Sequence, residues 1–356
     1  MRHLQFLLVA ASFGLSACGA NPAVGAVSSD GGAPDMTHPD PCASAMAGAP
    51  ITIPVLAKQH LDQGKSAVEV DVMVPAGCYA NIKLHMQSST ACKGAPPPGQ
   101  NWPALCDPFD RLAQVWLADK GQTPMFVLDA VTPFGGLGIW DQDITDYAQS
   151  IAGMHTYHVE VGTYADPAGK ATGTMSSHDV DVSVIVTPGV PPHAVAGVVP
   201  LWRQGINGNT KMVMGSFTAP AGATAGHFDY FTSGHGGNGN PPCDEFCMKE
   251  NDIAVDGMNV YMDSPFINCD DNCDHQSIQG TIGCGGMTFN YICKQNPTAC
   301  PTSATAPRAN WCPSKIIPLI QVPLPSSALL GKHDVTLGIP GVEGDFSIGL
   351  AVVFYR

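Results

Sequence analysis

Residues 179–186 read Asp-Val-Asp-Val-Ser-Val-Ile-Val, and this stretch decides the fold class. Valine occupies every second position, and residues 68–74 and 346–354 show the same apolar alternation. A period of two places alternate side chains on one face of a strand, so each stretch predicts a β-strand with one face on a core. The 39 Gly and 31 Pro residues predict frequent turns. The chain is therefore expected to be all-β, built from sandwiches or jelly rolls.

The N-terminus predicts export. A charged start, Met1–His3, precedes an apolar stretch from Phe6 to Leu15 and the segment Leu15-Ser16-Ala17-Cys18. This pattern is typical of a signal peptide over residues 1–17. The cysteine after Leu-Ser-Ala resembles a bacterial lipobox, which predicts a lipidated Cys18; an ordinary signal with a chance cysteine is the alternative. No other apolar stretch approaches the roughly 20 residues that span a membrane, so the lipid is the only membrane link expected.

Composition divides the rest of the chain. Residues 18–41 are rich in Gly, Ala, Ser, Pro and Asp, with few large apolar side chains, and predict a flexible tether after the lipidated cysteine. The Pro-rich break at 187–192 separates a predicted N-terminal domain, 42–188, from a C-terminal domain, 194–356. Sixteen Lys and Arg against 30 Asp and Glu give a net charge of −14. Nucleic acid is therefore not an expected partner, because its binding rests on cationic contacts.

The cysteines predict disulfides. Of 13 cysteines, 12 remain when Cys18 is set aside, an even number in a compartment that permits disulfides. Two Cys-x-x-x-Cys units, 243/247 and 269/273, suit zinc as the alternative. Disulfides are favoured in both units, and neither a metal nor another cofactor is expected.

A first candidate site follows Cys106, in Cys-Asp-Pro-Phe-Asp-Arg-Leu-Ala-Gln-Val-Trp, residues 106–116. A disulfide from Cys92 to Cys106 would fix the start of the strand and hold Asp110 beside Arg111. A guanidinium next to a carboxylate favours the ionised form, which a base needs. A solvated ion pair at the start of a strand is the plain alternative.

A second candidate site lies in the C-terminal domain. Ser233-Gly234-His235-Gly236 precedes Cys243-Asp244-Glu245-Phe246-Cys247, whose short disulfide loop would present Glu245 with little freedom. Residues 234–239 fit a Gly-x-Gly-x-x-Gly pattern, but no helical pattern follows, so a nucleotide site is not expected. The acidic stretch Asp270–Asp274 has oxygen ligands suitable for Ca²⁺ but lacks EF-hand spacing, so a solvated loop is favoured.

These two motifs resemble segments of the peptide-N-glycosidase F family. Residues 106–116 are similar to the segment that carries the family's principal catalytic Asp, which falls on Asp110. Residues 243–247 resemble its Cys-x-Glu-aromatic-Cys motif, in which the Glu falls on Glu245. Residues 293–297 and 308–313 also resemble the family's sequence. The resemblance covers most of residues 65–356, including Val198-Val199-Pro200 and Gly344-Asp345-Phe346.

The resemblance implies two eight-stranded antiparallel jelly rolls side by side, with a cleft at their junction. It implies hydrolysis of the amide that joins an N-glycan to Asn, with Asp110 activating water or the amide and Glu245 orienting the first sugar. N-glycosylated peptides or proteins would be the partners, and a monomeric, exported lipoprotein at the outer membrane or cell surface is expected. It also implies the pairs Cys92–Cys106, Cys243–Cys247 and Cys293–Cys312; elimination and proximity suggest Cys42–Cys78 and Cys269–Cys273, leaving Cys284 and Cys300. The side chains expected to bind substrate are Phe109, Arg111, Tyr164, His235, Phe246, Arg308 and Trp311.

One departure keeps a second function open. The family's third carboxylate aligns with Gly162, which has no side chain, and Glu160 is the nearest possible substitute. A non-catalytic surface protein that binds glycans or glycoproteins is therefore the alternative. Copper-dependent monooxygenases share the double jelly roll, but copper needs imidazole clusters. The two histidines closest in sequence, His155 and His158, point to opposite faces of a predicted strand, which disfavours copper chemistry.

Overall fold

The computed structural model describes residues 42–238, 242–269, 282–284, 287–289 and 307–356. Within these ranges, no helix is long and apolar enough to cross a membrane. Several sequence predictions lie outside the described residues: the signal peptide 1–17, Cys18 and the tether up to residue 41, the acidic stretch Asp270–Asp274, and the cysteines Cys273, Cys293 and Cys300.

The first half of the described chain forms one sandwich of eight antiparallel strands. They are β1 Ile51–Asp62, β2 Ala67–Val74, β3 Tyr79–Ser89, β4 Leu112–Leu117, β5 Met125–Val131, β6 Gly138–Asp143, β7 Gly153–Val161 and β8 Ser177–Pro188. One sheet has the strand order β1-β8-β3-β6 and the other β2-β7-β4-β5. A 3-10 turn, Thr145–Tyr147, and a one-turn helix α1, Ala148–Ile151, connect β6 to β7.

The second half forms another eight-stranded antiparallel sandwich. Its strands are β9 Val195–Asn207, β10 Met212–Thr218, β11 Ala225–His235, β12 Asn251–Val255, β13 Met258–Asp263, β16 Ile320–Pro323, β17 Lys332–Gly338 and β18 Asp345–Tyr355. The sheets have the orders β16-β11-β18-β9 and β10-β17-β12-β13. A short helix α2, Cys243–Phe246, follows β11, and a 3-10 turn, Ser326–Leu329, precedes β17. Strands β14, Ile282–Cys284, and β15, Met287–Phe289, pair with each other.

The alternating stretches of the sequence form the cores of the two sandwiches. The valines at 180, 182, 184 and 186 are all buried in the first core. The apolar residues at 346, 348, 350, 352 and 354 are buried in the second. Adjacent side chains on a strand point to opposite faces, so each strand contributes one face to its core. The prediction of an all-β fold of two antiparallel sandwiches is confirmed.

The two sandwiches face each other through the sheets that contain β4 and β18. On β4, the core side chains alternate with Leu112, Gln114 and Trp116, which contact the second sandwich. Phe126 of β5 packs at Gly349 of β18 so closely that a Cβ at Gly349 would lie 2.0 Å from the ring. Glycine permits this approach because it has no side chain to displace. The interface therefore brings one face of each sheet into direct contact.

Four disulfides are present in the described residues. Cys42–Cys78, Cys92–Cys106 and Cys243–Cys247 form as the sequence predicts. Two predicted pairs, Cys269–Cys273 and Cys293–Cys312, are wrong, because Cys269 pairs with Cys312. The reason is tertiary: a backbone bridge between Ile267 and Arg308 brings together the two distant segments that carry Cys269 and Cys312.

Candidate active site

Asp110 lies in a loop that is fastened at both ends before β4 begins. The Cys92–Cys106 disulfide closes the start of the loop, and the backbone N–H of Arg111 donates to Thr132 Oγ1 at 2.8 Å. The fully buried Asp107 accepts from Arg111 Nε at 3.0 and 2.9 Å and from Nη2 at 2.9 Å. The loop thus holds Asp110 through its neighbours and leaves its own carboxylate available.

The Asp107–Arg111 pair forms a rigid support under this loop. Burial opposes ionisation of Asp107, but His178 and Arg111 together lower its pKa to about 2. The guanidinium carbon of Arg111 lies 4.1 Å from the ring centre of Tyr164 and 5.1 Å from that of Phe109. Ion pairing and cation–π contact therefore fix Arg111 and the two aromatic rings beside Asp110.

This arrangement corrects the electrostatic role expected for Arg111. The sequence suggested that Arg111 keeps Asp110 ionised, but the Arg111 guanidinium is committed to Asp107. Burial raises the pKa of Asp110, and Arg308 opposes that rise more than Arg111 does. Asp110 is consequently a carboxyl group that takes up a proton more readily than an exposed Asp.

Glu245 is presented by α2, which a disulfide and a buried carboxylate hold in place. Cys243 and Cys247 close the helical turn. The adjacent Asp244, fully buried, accepts hydrogen bonds from the backbone N–H groups of Glu343, at 2.7 Å, and Gly344. Asp244 Oδ1 also lies 2.9 Å from the Lys249 ammonium. Helix α2 is therefore tied to the loop before β18.

Arg308 lies in a segment that bridges both sandwiches. Its backbone pairs with Ile267 through two hydrogen bonds of 2.9 Å. Further along, the Ile317 N–H donates to the Asp129 carbonyl at 2.9 Å and the Val131 N–H donates to the Lys315 carbonyl at 3.0 Å. The segment thus adds an extra strand-like stretch to the edge of β5 in the first sandwich.

The Arg308 guanidinium brings the two candidate carboxylates together. Nη2 lies 3.7 Å from Asp110 Oδ2, and Nη1 pairs with Glu245 Oε1. The arginine side chain is 0% exposed, whereas the Asp110 and Glu245 side chains are 17% and 21% exposed. Burial raises the pKa of Glu245, the Arg308 charge lowers it, and the Asp110 charge raises it. Two acidic groups from different sandwiches therefore share one buried cation and remain accessible.

Aromatic side chains pack around this cation. The Arg308 guanidinium carbon lies 4.2 Å from the Trp311 ring centre and 4.6 Å from that of Phe246. Trp311 is 2% exposed, and its Nε1 donates to the Gly234 carbonyl at 2.8 Å. The expectation that Trp311 lines a sugar cleft needs correction, because the indole is buried and packs against the Arg308 guanidinium. Tyr164, at 44% exposed, is an open aromatic ring that packs on Arg111, the neighbour of Asp110 in sequence.

His235 ends β11 beside the same group. Its ring centre lies 5.1 Å from that of Trp311, and Nε2 lies 2.9 Å from the hydroxyl of the fully buried Ser233. Burial, with a further contribution from the Arg308 charge, lowers the pKa of His235 to about 4. The imidazole is therefore neutral at physiological pH and adds a polar group without adding charge.

The position of the family's third carboxylate contributes no charge here. The Gly162 N–H donates to the Leu112 carbonyl at 3.0 Å, directly after β7. Glu160, the possible substitute, is engaged elsewhere: its carboxylate lies 3.5 Å from Arg203 Nη2 and 3.8 Å from His158 Nε2. Glu160 therefore pairs with Arg203 and His158, and not with Arg308.

A separate cavity of about 280 Å³ opens at the other end of the same interface. Tyr147, Asp229 and Phe231 are among its lining residues. Asp229 lies six residues before His235 on β11, which corresponds to about 20 Å along a strand. This cavity is therefore distinct from the group around Arg308.

Comparisons with known proteins match the C-terminal half of the chain to a family model. Residues 206–348 match the family model described as "Peptide-N-glycosidase F, C terminal". This part of the chain, most of the second sandwich, is therefore similar to the C-terminal part of peptide-N-glycosidase F. No curated protein sequence matches it significantly.

Solved structures of the family show the same fold. The structure of recombinant peptide: N-glycanase F has a TM-score of 0.63 and 18% identity, covering 86% of this chain and 96% of that one. PNGase F from Flavobacterium meningosepticum, described as a glycosylasparaginase, has a TM-score of 0.62 and 18% identity over 87% and 96%. PNGF-II has a TM-score of 0.63 and 16% identity over 86% of this chain and 65% of that one. The fold of the peptide-N-glycosidase F family thus extends over both sandwiches.

Two structural residues of the site were missed from the sequence. Asp107 and Asp244 are fully buried carboxylates that anchor the loops of Asp110 and Glu245. Both follow a disulfide-bonded cysteine directly, in the dipeptide Cys-Asp. That shared dipeptide was the available signal, because a carboxylate beside a disulfide can accept backbone hydrogen bonds from a tight loop.

Proposed function

We propose that the protein hydrolyses the amide bond between an N-linked glycan and the asparagine of a glycopeptide or glycoprotein. The observation that carries the proposal is the meeting of Asp110 and Glu245, from separate sandwiches, on the Arg308 guanidinium. The family match and the glycosylasparaginase named among the similar structures support an amidase of this type.

Asp110 is assigned the role of general base. Burial raises its pKa, and a carboxylate of raised pKa accepts a proton from water more effectively than an ordinary one. Water attacks the carbonyl carbon of the asparagine amide, and Asp110 transfers a water proton to the departing nitrogen. The carbon–nitrogen bond breaks to leave aspartate and a glycosylamine. Water then hydrolyses the glycosylamine to the free glycan and ammonia.

Glu245 is assigned the role of orienting the first sugar. Its carboxylate is partly exposed and its position is fixed by α2 and Arg308. Carboxylates accept hydrogen bonds from sugar hydroxyls, and a preorganised acceptor costs little ordering at binding. The exposed ring of Tyr164 offers an aromatic face for the sugar or peptide beside Asp110.

Non-catalytic glycan binding is the second candidate function. Gly162 supplies no acid at the position of the third carboxylate, and Glu160 is paired with Arg203. The remaining carboxylates and the Tyr164 ring would still bind a glycan without hydrolysing it. In this reading, the shared Arg308 ion pairs stabilise a recognition surface.

A glycan-release assay separates the two functions. Purified protein is incubated with a denatured glycopeptide over a wide pH range, and mass spectrometry follows both glycan release and conversion of asparagine to aspartate. Asp110→Asn should abolish release, while Asp141→Asn, an exposed carboxylate of the first sandwich, should leave it unchanged. Absence of release by the unmutated protein at every pH would defeat the amidase proposal, and retained glycopeptide binding would then establish the binding function.

We also propose that the chain is an exported lipoprotein anchored through Cys18, and that it acts as a monomer at the cell envelope. The four disulfides among the described residues support an oxidising compartment. Metabolic labelling with a radioactive fatty acid should mark the wild-type protein and not Cys18→Ser. Equal labelling of both would contradict the anchor, and size-exclusion chromatography of the purified protein tests the monomer.

A further inference from the structure

Arg203 of the second sandwich reaches across the interface and stacks on Trp116 of the first. Its guanidinium carbon lies 3.6 Å from the Trp116 ring centre, and His158 stacks on the same ring at 3.9 Å. Arg203 Nη2 donates to Gln114 Oε1 at 3.2 Å and lies 3.5 Å from Glu160 Oε2. One arginine therefore contacts two neighbouring strands, β4 and β7, of the opposite sandwich.

The Gln114 side chain, on the first sandwich, also contacts β18 of the second sandwich. Its Nε2 donates to Asp129 Oδ1 at 2.8 Å and to Ser347 Oγ of β18 at 3.2 Å. The amide oxygen of Gln114 accepts from Arg203 while its nitrogen donates to Ser347, so the side chain is bound on both sides. Gln114 is 4% exposed, and directional bonds in such a dry setting define relative position more sharply than apolar contact does.

The strands of the bridge lead to the segments that carry the candidate catalytic groups. Gln114 lies four residues after Asp110, about 13 Å along the chain at the rise of a β-strand. Ser347 pairs across the sheet with Ser233 of β11, two residues before His235. The bridge thus lies close to both halves of the site, in rigid elements that lead directly to each half.

A site divided between two sandwiches needs their register to be fixed. A misplacement of about 1 Å between reacting groups costs on the order of a hundredfold in rate. The Phe126–Gly349 contact is apolar and sets the separation of the sheets without a preferred bond direction. Arg203 and Gln114 supply directional contacts that Phe126 lacks, as does the buried hydrogen bond from Tyr147 Oη to Asp229 Oδ2 at 2.7 Å elsewhere in the interface.

We propose that Arg203 is a positioning residue, whose bridge to Gln114, Glu160 and Trp116 sets the register of the two sandwiches and so aligns Asp110 with Glu245 on Arg308. Its effect on turnover rests on the proposed amidase function. Its effect on the interface does not, because two backbone hydrogen bonds report how the segment that carries Arg308 packs on β5 of the first sandwich: the Val131 N–H to the Lys315 carbonyl and the Ile317 N–H to the Asp129 carbonyl.

The test measures amide hydrogen exchange and glycan release in Arg203→Met, Arg203→Lys and the control Lys83→Met. Lys83 forms an exposed ion pair with Asp141 on the sheet β1-β8-β3-β6, which is not the sheet that faces the second sandwich. In Arg203→Met, exchange at the Val131 and Ile317 amides should accelerate at least about tenfold while the core strands stay protected. Glycan release should lose at least about tenfold in kcat with little change in KM. The control should match the wild type.

Arg203→Lys keeps the charge but loses the planar stacking fork, so intermediate exchange and turnover are expected. If Arg203→Met fails to fold, the exchange measured in Arg203→Lys tests the positioning role instead. Unchanged exchange at both reporter amides in a folded Arg203 variant would overturn the positioning role. If the wild-type protein releases no glycan, the amidase proposal fails on its own and the exchange measurement still decides the role of Arg203.

Discussion

Replacing Asp129 by Asn should remove a large pH dependence from the stability of the protein. Asp129 is fully buried; one carboxylate oxygen accepts from Gln114, and the other has no hydrogen-bond partner among the residues that the structure describes. Burial raises its pKa from the ordinary 3.8 to about 7, outweighing the Gln114 hydrogen bond and the Arg203 charge. At 1.36 kcal/mol per pKa unit, this difference corresponds to about 4 kcal/mol of folding free energy.

The sign follows from proton binding. The folded-state pKa of Asp129 is raised. Between pH 3.8 and about 7, the folded protein therefore keeps a proton that the unfolded chain has already released. The stabilisation is complete below pH 3.8 and is lost as the pH rises through 7. Asparagine mimics the protonated carboxyl group, since its NH₂ group occupies the place of the protonated oxygen. The variant should therefore gain up to about 4 kcal/mol over the wild type at pH 8, relative to their difference at pH 4.

Urea unfolding at a series of pH values, with the disulfides intact, measures this difference. Asp141→Asn is the matched control: burial of Asp141 is outweighed by hydrogen bonding from His85 and by the Lys83 charge, so its pKa is lowered. Asp141 therefore contributes stability at high pH that is lost as the pH falls, and its variant should show the opposite trend. Parallel pH profiles for wild type and Asp129→Asn between pH 4 and 7 would refute the reasoning.

Three further predictions concern the interface and the site. Gly349→Val should cost about 1–3 kcal/mol in urea unfolding, because even a Cβ there meets the Phe126 ring at 2.0 Å; unchanged stability would contradict this packing. The pH profile of glycan release should show no step at 6.5, because the pKa of His235 is about 4, and NMR titration of the imidazole checks this value. Arg308→Met should abolish release and raise the pKa of Glu245 further, which carbon-13 NMR of the carboxyl group measures; an unchanged pKa would argue against the ion pair.

The strands were predictable because alternation is a local property of the chain. The valines of 180–186 lie on one face whatever the rest of the protein does, so the sequence determined that this segment forms a half-buried strand. The pairs Cys92–Cys106 and Cys243–Cys247 were predicted from the resemblance to the peptide-N-glycosidase F family, and both form. Cys269–Cys312 was missed because its partners meet only after residues 267 and 308 pair across the fold.

The candidate residues could be predicted from the sequence, but their ion-pair partners and pKa shifts could not. The sequence placed Asp110 and Glu245 in short, disulfide-closed motifs, which restricts each side chain locally. It assigned Arg111 as the cation beside Asp110, but Arg111 is bound to Asp107. A pKa depends on burial and on charges from distant segments, and neither is visible in the neighbouring sequence.

By itself, the sequence determined the strand pattern, the export signal as a prediction, and the two motifs that carry carboxylates. Only the tertiary structure decided that both carboxylates meet one buried arginine, and that Arg203 bridges the sandwiches above Trp116. Strand patterns follow from covalent geometry over a few residues. The shared arginine requires the first sandwich, the second sandwich and the segment around residue 308 to pack together, because each supplies one of its contacts.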